Sequence, residues 1–264
     1  MNNKVRADKL VVNQSLAENL RKARALIMAG LVFLQQERVQ KPGQLLDKEQ
    51  ELTLKEMLPF VSRGGLKLGE ALEKFKFSVD NKVAADLGAS TGGFTDCLLQ
   101  RGVRKVFAVD VDTRQLDWNL RNDPRVVLIS KNARYLEKKD FSDTLDLITM
   151  DVSFISVLKI LPAIEKFIGN GDLISLIKPQ FEVRKEQAGK KGIVRDPVLH
   201  EEVLTRITNL AQDMGFNVKG VMRTSVQGQK GNREFFIMWS LDSGSLSQKS
   251  LKDLVKEAVW NAKN

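Results

Sequence analysis

Between residues 83 and 177 the chain repeats one pattern five times: a short apolar run ending in an acid or a polar turn, then a helical stretch. The runs are Val83 to Asp86, Val106 to Asp110, Val126 to Ile129, Leu145 to Met150 and Leu173 to Ile177. Strands this apolar, alternating with helices, bury both faces, which predicts an α/β fold with a parallel, doubly wound sheet. After a helix over about 199–214, Val218 to Arg223 and Glu234 to Trp239 follow with no helix between them. The last strand is therefore expected to return antiparallel as a hairpin.

Such a sheet binds ligands beyond the carboxyl ends of its strands. At the end of the first run stands A-D-L-G-A-S-T-G-G-F, residues 85–94, opening a helix over about 92–101. Gly88, Gly92 and Gly93 are spaced G-x-x-x-G-G, preceded by Asp86, where a dinucleotide site needs G-x-G-x-x-G. Asp110 ends the second run, in the place from which a carboxylate accepts both hydroxyls of an adenosine ribose. A glycine loop with a ribose acid argues for S-adenosylmethionine and against NAD.

Four charges stand out at the same end of the sheet. Asp151 closes the fourth run in M-D-V-S-F-I-S, and Lys178 closes the fifth in I-K-P-Q-F-E, where Pro179 forces the chain out of the strand. Lys67, in R-G-G-L-K-L, and Glu234, at the start of the last strand, enter from the same side. Two lysines and two carboxylates make a charge-compensated cluster able to bind and move a proton. For Lys67 and Glu234, ordinary surface ion pairing fits the sequence equally well.

Residues 1–46 are the basic end, with eight Lys and Arg against three Asp and Glu. Ser15 to Ala29 reads as one helix, with Val32 to Leu34 and Glu51 to Leu54 as strands around the K-P-G turn at 41–43. The expected organisation is a module at 1–58, a linker at 59–66, the sheet domain at 67–242 and a helical tail at 243–264. The whole chain carries +9, which suits a polyanionic partner. One cysteine and one histidine leave no material for a disulfide framework or a Cys/His zinc site, so no metal is expected. Cys97 reads as buried packing, and His200, beside D-P at a helix start, as a cap or surface residue. No apolar run approaches the roughly 18 residues of a membrane span, the longest being Leu26 to Leu34, so a soluble cytoplasmic protein without membrane insertion is expected.

The blocks R-G-G-L-K-L, D-L-G-A-S-T-G-G-F-T, R-N-D-P-R-V, D-V-S-F-I-S and K-P-Q-F-E closely resemble the TlyA (haemolysin A) family over residues 5–241. The resemblance implies a class I (Rossmann-like) methyltransferase sheet of the FtsJ-like type behind a small N-terminal α+β S4-like RNA-binding domain. It implies 2′-O-methylation of cytidine ribose in ribosomal RNA, on ribosomal RNA or ribosomal subunits, with S-adenosylmethionine as donor. The family's Lys-Asp-Lys-Glu tetrad falls on Lys67, Asp151, Lys178 and Glu234. Donor binding falls on Gly88, Ala89, Ser90, Gly92, Gly93, Phe94 and Asp110, with Asn132 and Ala133 after the third strand. In this reading Lys178 takes the 2′-hydroxyl proton, Asp151 orients it, and Lys67 with Glu234 holds the ribose. The basic run at 183–195 would be an RNA-contacting loop. The chain departs from S4-like patterns at Asn19 and Leu20, where a Ser-Arg pair is usual, and at Gln35, Gln36 and Glu37, where an Asn-Gly hairpin is usual. The rival readings are an RNA-binding protein with an inactive sheet domain and a cytolysin. The first would lack part of the tetrad or loop, and the second would need amphipathic or spanning segments. The G-R-L-D block of S4-bearing pseudouridine synthases is absent.

Overall fold

The computed structural model describes residues 3–55, 59–184, 186–189, 192–242 and 247–261. The chain forms two compact units, Met1–Leu58 and Pro59–Asn264.

The first unit runs β1 (Lys4–Arg6), α1 (Ala7–Asn13), α2 (Leu20–Met28), β2 (Val32–Leu34), β3 (Glu37–Arg38), β4 (Leu45–Asp47) and β5 (Leu52–Leu54). The expected helix from Ser15 to Ala29 is shorter. Ser15 takes a left-handed backbone at φ 59°, and Asn19 caps the new start by accepting from the Lys22 N–H at 2.9 Å. Asn19, where the Ser-Arg pair would begin, thus serves as a helix cap. The sequence reading missed α1, which is only two turns long yet buries Ala7, Leu10 and Val11 at helical spacing. β2 pairs with β3 and β5, and β1 with β4, all antiparallel. The Gln35-Gln36 turn closes the β2–β3 hairpin with Gln35 at φ 55°, without the usual glycine. Buried Asp8 binds Arg6 and Arg24 at 2.8 and 2.9 Å, and the two guanidiniums hold its carboxyl well below the usual range.

The second unit begins with α3 (Arg63–Lys74), so the expected linker at 59–66 is corrected: its last four residues are the first turn of a helix capped by Ser62. Then follow β6 (Val83–Leu87), α4 (Gly93–Gln100), β7 (Lys105–Asp110), α5 (Trp118–Arg121), β8 (Val126–Ser130), β9 (Leu147–Met150), α6 (Leu161–Ile168), β10 (Asp172–Ile177), α7 (Pro179–Glu182), α8 (Pro197–Asp213), β11 (Asn217–Arg223), β12 (Phe235–Ser240) and α9 (Gln248–Lys256). The seven strands lie in the order β11-β12-β10-β9-β6-β7-β8. β12 runs antiparallel to both neighbours, and the other pairs are parallel. Every residue of β6 and β9 is buried, as strands covered on both faces must be. One face packs Ile164, Phe167, Leu204 and Ile207 of α6 and α8, and the other packs Leu68, Leu72 and Leu98 of α3 and α4.

The C-terminal helix is no separate tail. Leu251 and Val255 of α9, with Ala258 and Val259 beyond it, are buried in the same core as α8 and β11. Leu246 and the lysines Lys185, Lys190 and Lys191 of the basic run lie outside the described residues. His200 is corrected as well. It is fully buried, edge-on to Phe235, with Nε2 at 3.0 Å from the Val194 carbonyl, and Asp196 is the residue that caps α8. Among the described residues no helix is long and apolar enough to cross a membrane.

Candidate active site

The order of the parallel strands reverses between β6 and β9, so the loops leaving these two neighbours run to opposite sides and open a crevice. Gly88, at φ 83°, begins the first loop's tight turn directly after β6, and a Cβ there would collide with the Asp151 carbonyl. That close approach brings the glycine loop against the loop that carries Asp151. Beneath them Asp86 is fully buried and accepts from the Thr95 hydroxyl at 2.7 Å and the Thr149 hydroxyl at 3.1 Å. Burial pushes its carboxyl up to about 7, with the Asp151 charge adding to the rise and the two threonines opposing it.

Two cavities meet at this crevice. The larger, about 580 Å³, is lined by Gly88, Ser90, Asp110, Lys131, Asn132, Ala133 and neighbours. The smaller, about 260 Å³, is lined by Arg63, Lys67, Ala89, Gly93, Phe94, Lys178 and Glu234, among others. Gly88, Ser90, Asp151, Ser153 and Phe154 line both. The candidate donor residues therefore divide. Gly88, Ser90, Asp110, Asn132 and Ala133 face the larger cavity, whereas Ala89, Gly93 and Phe94 face the smaller one. Gly92 lines neither and is the N-cap of α4, packed against Leu116 and Leu120. The Asp110 carboxylate accepts from the Ser90 N–H at 2.9 Å and the Asp112 N–H at 3.1 Å, so it fixes the glycine loop as well as facing the cavity.

The four charged candidates come together as two ion pairs around the smaller cavity. Lys67, on the second turn of α3, donates to Glu234 at 2.7 Å, with side chains 11% and 2% exposed. Lys178, the last residue before α7, lies 2.5 Å from Asp151 Oδ1. That contact lacks hydrogen-bond alignment, and the directed bond of the ammonium goes to the Ser153 hydroxyl at 2.9 Å. Surface pairing does not describe Lys67 and Glu234, because both are buried. A neutral, interleaved cluster at the mouth of a cavity can orient a hydroxyl and take its proton.

The sequence reading missed Ser153 and the aromatic rim. Phe154 is 90% exposed, takes φ 65°, and lies 5.0 Å from the Phe181 ring. Both aromatics sit inside motif blocks, but nothing in the spacing distinguishes a rim phenylalanine from a core one. Cys97 is buried, and burial pushes its thiol up to about 12, so it packs and offers no nucleophile.

This sheet, with its crevice at the switch point and a glycine loop on one wall, defines a methyltransferase of the Rossmann-like class. Residues 60–241 match the FtsJ-like methyltransferase family and residues 5–52 match the S4 domain. The chain belongs to the FtsJ-like methyltransferase family, in the group that joins this domain to an S4 domain and bears the names TlyA and hemolysin A. The Bacillus subtilis protein YqxC, named as an rRNA methyltransferase, is 46% identical over 89% of this chain and 85% of its own. The 16S/23S rRNA (cytidine-2'-O)-methyltransferase TlyA of Mycobacterium tuberculosis is 39% identical over 98% of both chains. A solved structure from Streptococcus thermophilus, described as a hemolysin, covers 98% of this chain and 96% of its own at 45% identity and a TM-score of 0.73.

Proposed function

We propose that this methyltransferase acts on the 2′-hydroxyl of a cytidine ribose in ribosomal RNA, with S-adenosylmethionine as donor. The observation that carries this reading is the meeting of two cavities at Asp151, with Lys178 and the Lys67–Glu234 pair on the side away from Asp110. The larger cavity fits the donor: the backbone of Gly88 lines it directly, Asp110 offers carboxylate oxygens to ribose hydroxyls, and Asn132 and Ala133 complete the lining. When bound there, S-adenosylmethionine supplies an electrophilic methyl carbon on a sulfonium.

The chain's own residues do the rest. Lys67 and Glu234 hold the acceptor ribose in the smaller cavity, and Phe154 and Phe181 give its base a stacking surface. The ribose hydroxyl held there would take the methyl group, with the sulfonium leaving as a neutral thioether, and must give up its proton. In this reading the hydroxyl proton passes to Nζ of Lys178. Asp151 and Ser153 keep that Nζ in place and offset the ammonium charge. Most of the acceleration comes from alignment, since methyl transfer needs oxygen, carbon and sulfur in line.

The N-terminal unit, residues 1–58, serves as the RNA-holding part. It carries the S4 match and exposes Lys9, Arg21 and Lys41. The basic run at 183–195 follows the segment of Lys178 in the sequence and adds charge suited to RNA. A ribosomal RNA substrate supports a cytoplasmic location. The test is calorimetric titration with S-adenosylmethionine, followed by mapping of 2′-O-methyl groups on ribosomal RNA treated with the protein. Donor binding with new methyl groups on cytidine ribose is the expected result, and methylation confined to a base would overturn the assignment.

A further inference from the structure

Glu182, the last residue of α7, lines neither cavity, yet its side chain is only 1% exposed. A carboxylate taken out of water needs compensating partners, because its desolvation costs several kcal/mol, on the order of a fold's whole margin. Its partners are specific. Oε2 accepts from the Ser156 hydroxyl at 2.7 Å, and Oε1 accepts from the Val157 N–H at 2.9 Å. Arg206 of α8 donates to the Glu182 carbonyl at 2.6 Å and lies 3.8 Å from its carboxylate. Burial raises the carboxyl's pKa, and the Ser156 and Val157 bonds act against that rise.

What these bonds hold is the loop that bears Asp151. Its near end is fixed by the Asp151 N–H donating to the Leu87 carbonyl at 2.9 Å, and its far end by Glu182. Between them Phe154 sits at φ 65°, a left-handed backbone that is costly for a bulky residue and persists only where its surroundings enforce it. The loop is thus joined to the segment of Lys178 at three points: Lys178 to Asp151 and Ser153, Phe181 to Phe154, and Glu182 to Ser156 and Val157. The first two face the cavities and are open to substrate. The third lines neither.

We propose that Glu182 is a positioning residue for methyl transfer, fixing residues 151–157 so that Asp151, Ser153 and Phe154 keep their places against Lys178. This rests on the methyl-transfer reading of the site. The test compares Glu182→Ala, Glu182→Gln and Ser156→Ala with the unaltered protein. It measures single-turnover methylation of ribosomal RNA at saturating RNA and donor, RNA affinity, and donor affinity by calorimetry. Displacing reacting groups by about 1 Å costs on the order of 100-fold, so Glu182→Ala is expected to lose roughly 10- to 100-fold in rate with RNA affinity nearly unchanged. Glu182→Gln keeps one acceptor oxygen in place and recovers most of that loss. Ser156→Ala, which disturbs no buried charge and reports even if Glu182→Ala fails to fold, loses a smaller part of the rate. Wild-type turnover at saturation in Ser156→Ala or in folded Glu182→Ala overturns the inference and leaves the methyltransferase reading intact. No methylation by the unaltered protein would instead sink that reading, and this inference with it.

Discussion

Lys67 and Glu234 stand 167 residues apart in the chain and 2.7 Å apart in space, one from the second turn of α3 and the other from the residue before β12. Their meeting depends on Gly228, whose position would place a Cβ inside the Glu234 carboxylate. Gly228→Ala should push that carboxylate off Lys67 and cut methyl transfer by about tenfold, a loss of roughly 1.4 kcal/mol in alignment. Donor affinity should hold, since neither residue lines the larger cavity. Single-turnover rates beside calorimetry separate the two effects, and an unchanged rate would show that the pair tolerates displacement.

Asp110 is the acid expected to bind the donor ribose. Asp110→Ala removes acceptors for charge-assisted hydrogen bonds worth about 1.5 to 3 kcal/mol and frees the Ser90 N–H as well. The dissociation constant for S-adenosylmethionine should rise by at least about tenfold. Unaltered affinity would remove Asp110 from the donor site.

Asp86 gives the second unit a pH signature. Its carboxyl is raised to about 7 in the fold, from an ordinary value near 4, so the folded state holds a proton that the unfolded chain releases. Its contribution to stability is complete below about pH 4 and is lost as pH rises through about 7. At the linkage of about 1.4 kcal/mol per pKa unit, the loss is of the order of 4 kcal/mol. Asp86→Asn keeps the neutral shape without titrating. Its melting temperature should match the unaltered protein at or below about pH 4 and exceed it at pH 8. Parallel pH profiles of the two proteins would show that Asp86 does not titrate in this window.

If the N-terminal unit holds RNA phosphates, replacing exposed Lys9, Arg21 and Lys41 with Ala should weaken binding across RNA sequences alike. The slope of log affinity against log salt should become shallower by about one for each phosphate that is no longer neutralised. These three side chains hold no buried partner as Arg6 and Arg24 hold Asp8, so the fold should survive. Filter binding at several salt concentrations measures the slope, and an unchanged slope would place the RNA-binding surface elsewhere.

The sheet was legible because its strands are buried on both faces, so each appears as an apolar run whose end marks the ligand side. That Asp110, Asp151 and Lys178 lie at the crevice was legible from those ends alone. The place of Lys67 and Glu234 was not, since their pairing depends on α3 and the 224–234 segment folding onto the same edge. Residues whose role lies in contact geometry were invisible: Ser153 and Phe154 look like ordinary members of a motif, and Glu182 like one more surface acid. The two-turn α1 and the later start of the expected helix, at Leu20 instead of Ser15, were missed because local backbone turns there override a continuous apolar stripe. His200 was misplaced for a related reason. Asp196, one helical turn earlier, takes the capping position, and the histidine is turned inward against Phe235.

Lys178 carries the sharpest test of the chemistry. It leaves β10 immediately before a proline, its Nζ is 2.9 Å from the Ser153 hydroxyl and 2.5 Å from Asp151, and it lines the smaller cavity. Lys178→Ala should bind S-adenosylmethionine normally, because the larger cavity does not include it, yet lose roughly 10²- to 10⁴-fold in methyl transfer. Lys178→Arg distinguishes a base from a clamp. A guanidinium keeps the charge and can still reach Asp151, but it does not release its proton at working pH. If Lys178 takes the 2′-hydroxyl proton, the arginine variant should be nearly as slow as the alanine one at saturating RNA. If it retains substantial turnover, Lys178 acts through its fixed charge and the proton leaves by another route, while the cavity for S-adenosylmethionine and the ribose site stand as described.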